Sequence, residues 1–232
     1  MVPSTFMDDA ALYRLMTWLS PSYPVGAYTY SHGIEYAVEA GLVTDADGLR
    51  EWIATILRHG AGQVDGVTFA AAHESAAADD IDELARVCEF AVAFRATAET
   101  ALESTAQGRA FLSLTADVWA TPVMDRLTEA WDGPVVYPVA VAVASAGHGI
   151  ALRESLLAYL HAFAANLVSA GLRLIPLGQS DGQRVVRALE PVVGAAAETA
   201  LNTPMDELGT AAPMVDICSM KHETQYTRLF RS

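Results

Sequence analysis

The sequence is poor in the groups from which active sites are built. It has no Gly-rich loop running into a lysine, so nucleotide binding through a phosphate cradle is not expected. It has no Gly-x-Ser-x-Gly elbow: Ser145-Ala146-Gly147-His148-Gly149 has the wrong order for one. Neither Cys-x-x-Cys nor His-Glu-x-x-His occurs, which removes the commonest zinc patterns. Cys88 and Cys218 are the only cysteines. They form no disulfide framework, and both are expected to stay reduced in the cytoplasm. Cys88 falls among apolar helix positions and reads as core. No basic start leads into a long apolar run, and Asp8 and Asp9 come early, so no signal peptide is expected. The most apolar window, Val135 to Ala146, is too short to span a bilayer and carries Pro138.

Charge is also scarce, and what there is has one dominant sign. Charged residues make up 18% of the 232, against 52% apolar. With 28 acidic and 14 basic residues the formal net charge is -14. Such a chain has no basic face for nucleic acid and none for an anionic membrane. So few charges on so apolar a chain predict surface buried in an interface, and a homodimer is expected.

What is present is helical patterning nearly throughout. Leu12, Leu15, Met16 and Leu19 share a helix face, which Pro21 and Pro24 terminate. Residues 31–40 read as a short helix closing at Gly41, and Thr44 as the N-cap of the next. Leu49, Trp52, Ile53, Ile56 and Leu57 form the stripe of that helix, ending at Gly60 and Gly62. Further helices are expected over 64–77, from the Asp80/Glu83 cap, over 98–114, from Leu152 to Gly171, and up to about Leu201, where Pro191 kinks or divides the last one. Val139, Val141 and Val143 alternate like a strand, but the alanines between them suit a helix equally well. Thr203 to Pro213 reads as a linker. The expected organisation is therefore all-α: a single-domain helical bundle over 1–202, then a linker and flexible C-terminal tail over 203–232.

Six histidines are scattered through the chain. His32 and Glu35 are spaced to share a helix face, whereas His73/Glu74 and His222/Glu223 are adjacent and point apart. Glu99 and Glu103 lie one helical turn apart. That spacing suits an acid–base pair, but more commonly a solvated face or a partner for an arginine such as Arg95. No nucleophile has an adjacent base, so no catalytic residue and no metal ligand is assigned.

The tail is the most informative stretch. Lys221, His222, Glu223, Tyr226, Arg228, Leu229, Phe230 and Arg231 set cations beside apolar and aromatic groups on an acidic protein. Two readings stand level. In one the tail docks a partner, with Tyr226, Leu229 and Phe230 as anchors and Arg228 as the charged contact. In the other it folds back onto its own acidic body.

Three separated blocks carry a family resemblance. Ser22-Tyr23-Pro24-Val25-Gly26-Ala27-Tyr28-Thr29-Tyr30-Ser31-His32-Gly33-Ile34-Glu35 is the first, Arg173-Leu174-Ile175-Pro176-Leu177-Gly178-Gln179 the second, and His222-Glu223-Thr224-Gln225-Tyr226-Thr227-Arg228-Leu229-Phe230-Arg231-Ser232 the third. Together they resemble the urease accessory protein UreF family. Ala27 stands where many members have a second glycine, and His32 where glutamine is common.

The resemblance implies an all-helical protein with no catalytic activity and no stably bound cofactor. It implies cytoplasmic work beside UreD/UreH, the GTPase UreG and the urease apoprotein, with nickel handled by the complex. It also implies helix at Val139–Val143. Tyr28, Tyr30, His32 and Glu35 are then expected to face a partner, UreG first. Pro24, Gly26, Gly33, Pro176 and Gly178 are expected to shape turns. The alternative is a helical small-ligand binder or enzyme with a bundle pocket. That would need convergent polar groups inside the bundle, and the sequence singles out none.

Overall fold

A computed structural model describes residues 7–232. The described residues form an all-α protein, with no strand among them. Helix α1 (Asp9–Trp18) leads through a short 3-10 turn to α2 (Ile34–Glu39), then α3 (Ala46–His59), α4 (Ala61–Ala77), α5 (Ile81–Ala93) and α6 (Ala98–Val118). Helices α7 (Pro122–Ala130), α8 (Tyr137–Gly147), α9 (Leu152–Leu174), α10 (Gln179–Leu201) and α11 (Pro213–His222) complete it.

Helices α4 and α8 make the centre. Every residue of α8 from Pro138 to Ser145 is buried. A helix apolar all round belongs inside a core, so the Val139–Val143 alternation is a product of all-round burial and not of pleating. Helix α8 packs on α4 and α6; α9 and α10 pack on each other and on α3 and α4. Gly108 permits one of these approaches. A Cβ there would sit 2.0 Å from the Val135 carbonyl oxygen, so only glycine lets α6 lie against the chain entering α8.

Several expectations shift by a turn or a face. Asp45, not Thr44, caps α3, accepting from the Gly48 N–H. Helix α9 runs through Gly171 to Leu174, and α10 runs through Pro191 unbroken. Half of the apolar window of α9 is buried within the bundle, although the helix is long and apolar enough to cross a membrane. In α1 the buried face is Ala11, Leu15 and Trp18, while Leu12, Tyr13 and Met16 stay exposed. Trp18 takes the core position because its ring meets Phe111 and Trp119 edge-on.

The largest correction concerns residues 203–232, expected as a linker with a flexible tail. The Ala211 N–H donates to the His59 carbonyl, α11 follows, and α11 packs on α2 and α6. Val215, Cys218, Ser219 and His222 point into the protein. The part read as a tail thus begins with a packed helix, while 203–212 hold only a 3-10 turn, Met205–Glu207.

Candidate docking site around the C-terminal segment

The site is assembled where α2, α6 and α11 meet. Its seat is three carboxylates, Glu35 on α2 and Glu99 and Glu103 on α6, all buried. The expected solvated face of α6 is in fact an interior one, because α11 and the residues after it cover it.

Two glycines with positive φ shape the approach. Gly26 (φ 75°) turns the chain into the 3-10 segment carrying Tyr28. Gly33 (φ 78°) precedes α2, and a Cβ there would come within 2.8 Å of the Ser219 amide nitrogen. Gly33 thus sets both the backbone turn and the close contact of α2 with α11.

The C-terminal segment supplies donors to that seat. His222 is fully buried, with Nδ1 2.9 Å from a Glu99 oxygen and Nε2 2.9 Å from a Glu35 oxygen. Both ring nitrogens thus face acceptors. An imidazolium satisfies them, as does a neutral ring with a proton held on Glu99. Burial raises the Glu99 pKa, and the neighbouring His222 and Arg228 oppose that rise. The Arg228 guanidinium donates to Glu99 at 3.1 Å. The Leu229 and Phe230 amides donate to the two oxygens of Glu35 at 2.7 and 3.0 Å. The Ser232 hydroxyl donates to Glu103 at 3.1 Å, and the Ser31 hydroxyl donates to the Ser232 carbonyl at 2.7 Å. Buried acceptors are tolerated only when met in this way.

His32 has φ 56°, unusual for a residue with a Cβ, and its Nδ1 lies 3.2 Å from Glu103. Burial acts to lower its pKa, but the charge and hydrogen bond of Glu103 outweigh that, and the net shift is upward. His32 and Glu35, spaced to share a helix face, do not meet: Glu35 goes to His222 and His32 to Glu103. Arg95 goes to neither α6 carboxylate, but to Asp65 at 2.6 Å.

The residues singled out from sequence divide into two sets. Tyr30, His32, Glu35, His222 and Phe230 are buried; Phe230 packs beneath the Arg173 guanidinium, 4.2 Å from its ring centroid. Tyr28, Lys221, Glu223, Tyr226, Arg228, Leu229 and Arg231 are exposed. Tyr226 and Leu229 are exposed, as are Met214, Ile217 and Met220 at helical spacing on α11. Tyr28 stands at the mouth of a cavity. Pro24, Pro176 and Gly178 lie at exposed turns, and the Gly178 N–H is held by Asp181 at the start of α10. Sequence reasoning missed Ser31, Arg173 and Ser232 as parts of the seat, since no local spacing links them. Among the described residues no group of three His, Cys, Asp or Glu side chains is placed to hold a metal ion.

Comparison with known proteins gives the family. The UreF family profile matches residues 43–190, more than half of the chain. The chain belongs to the UreF family of urease accessory proteins. It is similar to the urease accessory protein UreF of Rhodopseudomonas palustris (strain BisB5), at 51% identity over 99% of this chain and 95% of the relative. It is similar also to that of Granulibacter bethesdensis, at 52% identity over 99% of this chain and 98% of the relative. These alignments span nearly the full length, so the UreF assignment covers α11 and the segment after it as well as the matched core.

Proposed function

We propose that this chain is a non-catalytic urease accessory protein: a scaffold that works in the cytoplasm, as a homodimer, with UreD/UreH, UreG and the urease apoprotein. In this reading nickel is the cargo of the complex, delivered to urease with GTP hydrolysis by UreG, and is not a resident cofactor of this chain. The observation that supports it best is the two-sided C-terminal segment. Its inward side seats His222 and Phe230, and it also exposes Tyr226 and Leu229, together with Met214, Ile217 and Met220 of the preceding helix. An exposed apolar set with cations Lys221, Arg228 and Arg231 in the same stretch has the composition of a docking surface on an otherwise acidic protein. We assign that set to UreD/UreH, and Tyr28 to a separate contact, with UreG.

The test is co-purification of the tagged chain with UreD/UreH and UreG, using the Tyr226→Ala/Leu229→Ala double variant. Both side chains are exposed, so the variant is expected to fold as the parent does. Loss of UreD/UreH with a parental melting temperature supports the assignment. Retention of both partners rejects that set as the docking surface, and failure of the parent to carry either partner rejects the scaffold reading.

A further inference from the structure

A cavity of about 470 Å³ opens between α1, α6, α8 and α9. That size is ordinary for small-molecule sites. Its walls near the mouth are apolar, with Leu15, Met16, Leu19 and Phe163 among them, and Tyr28 stands exposed at the rim. Its floor is polar, which an accidental packing gap would not need to be.

The floor holds two ion pairs that are already closed. Arg95 bonds Asp65, which also accepts from the Tyr159 hydroxyl at 2.7 Å; His32 bonds Glu103. Each cationic side chain has its own carboxylate, so the floor offers little to a charged guest. Arg95 Nη2 and Ser104 Oγ also lack hydrogen-bond partners, but both are sealed by packing; two other polar groups are left over and open. The Gln107 amide nitrogen donates to Glu103 at 3.3 Å, which fixes the flip of that amide and leaves Oε1 as a free acceptor. The Tyr137 hydroxyl has no partner among the described residues, and neither it nor Gln107 Oε1 is sealed in by packing. Burial raises the Tyr137 pKa, so the phenol stays neutral and keeps its proton to donate.

One donor and one acceptor above a charge-balanced floor, under an apolar vestibule, suit one kind of guest. We propose that this cavity binds a small amphiphile with an uncharged primary-amide head and a short hydrocarbon body. The head's carbonyl accepts from Tyr137, its N–H donates to Gln107, and the hydrocarbon lies against α1 and α9. The proposal is independent of the scaffold reading: it concerns the isolated chain and none of its partners.

The probes are hexanamide, hexanoate and hexylamine, titrated into the full-length chain and followed by two-dimensional amide NMR and calorimetry. Hexanamide is expected to bind most tightly, with shifts confined to residues around the cavity. Tyr137→Phe removes one hydroxyl and is expected to weaken hexanamide about fivefold to tenfold, the worth of one hydrogen bond. Ala162→Phe narrows the wall and is expected to abolish binding of all three probes. It also keeps the test intact should Tyr137→Phe lower the melting temperature. The proposal is overturned if no probe binds, in which case water alone fills the cavity. It is overturned equally if the three probes bind alike, if Tyr137→Phe binds hexanamide as the parent does, or if Ala162→Phe still binds it.

Discussion

The Nε2 of His222 lies 2.9 Å from the Glu35 carboxylate, across 187 positions of sequence. Glu35 also receives the Leu229 and Phe230 amides. Replacing it by alanine leaves an imidazole nitrogen and two backbone donors unmet in a dry site. Glu35→Ala is expected to cost about 3 kcal/mol, as breaking a buried pair does. Urea denaturation measures the loss. Hydrogen exchange at amides 229 and 230 should rise together, and unchanged exchange there would refute the seat.

Phe230 and Tyr226 are four residues apart and predict opposite results. Phe230 is buried beneath Arg173. Phe230→Ala is expected to lower stability by about 3 kcal/mol. Tyr226 is fully exposed, and Tyr226→Ala should stay within about 0.5 kcal/mol of the parent. Paired thermal melts distinguish a folded-back segment from a loose one, in which both changes would be silent.

His32 predicts a pH dependence of definite sign. Its folded pKa lies above the ordinary 6.5 because Glu103 outweighs burial. A raised histidine pKa means that the folded state holds the proton more tightly. The stabilisation is complete below 6.5 and is lost as pH rises through the folded value. Glu103→Gln removes the opposing charge and lets burial dominate, so the His32 pKa should fall below 6.5. An NMR titration of the imidazole reads both; a pKa that stays high in the variant would assign the shift to another group.

Gly33→Ala is expected to be among the most damaging single-methyl changes. It places a Cβ 2.8 Å from the Ser219 nitrogen at a φ of 78°. Backbone cannot yield as a flexible side chain can, so a loss of at least about 2 kcal/mol is expected. Gly41 offers the control: it has φ 73° but nothing near its missing Cβ, and Gly41→Ala should cost only the backbone term, about 1 kcal/mol. Equal losses at the two positions would remove the contact with α11 from the explanation.

The all-α class and most helix positions were legible because apolar spacing at helical period is a local signal. The α3 stripe, Leu49 to Leu57, needed nothing beyond its own sequence. The α1 face was misread because its exposed residues, Leu12 and Met16, are as apolar as its buried ones. The alternation in α8 could not be settled locally, since a helix buried on all sides carries no amphipathic stripe. The seat was invisible for a different reason. Glu99 and Glu103 look like any charged helical turn until their partners are known, and His222 and Ser232 lie 123 and 129 residues away. Tail residues such as Tyr226 and Phe230 were conspicuous by composition, but composition alone does not tell which of them faces inward.

The wide separation between Glu35 and His222 has a consequence in time as well as in space. At ordinary rates of translation, roughly 10 to 40 seconds pass between the synthesis of two residues so far apart. Until the end of the chain is made, Glu35 and Glu99 lack the donors that meet them, whereas Glu103 already has His32 and Gln107. Two carboxylates, Glu35 and Glu99, cannot be buried dry and unmet, so that corner of the nascent protein stays open and hydrated. The helices around α4 and α8 are free to consolidate earlier. The last part of the fold to close is therefore the part that carries the exposed apolar set, and a ribosome-bound chain lacking α11 presents an acidic groove where the finished molecule presents an apolar ridge.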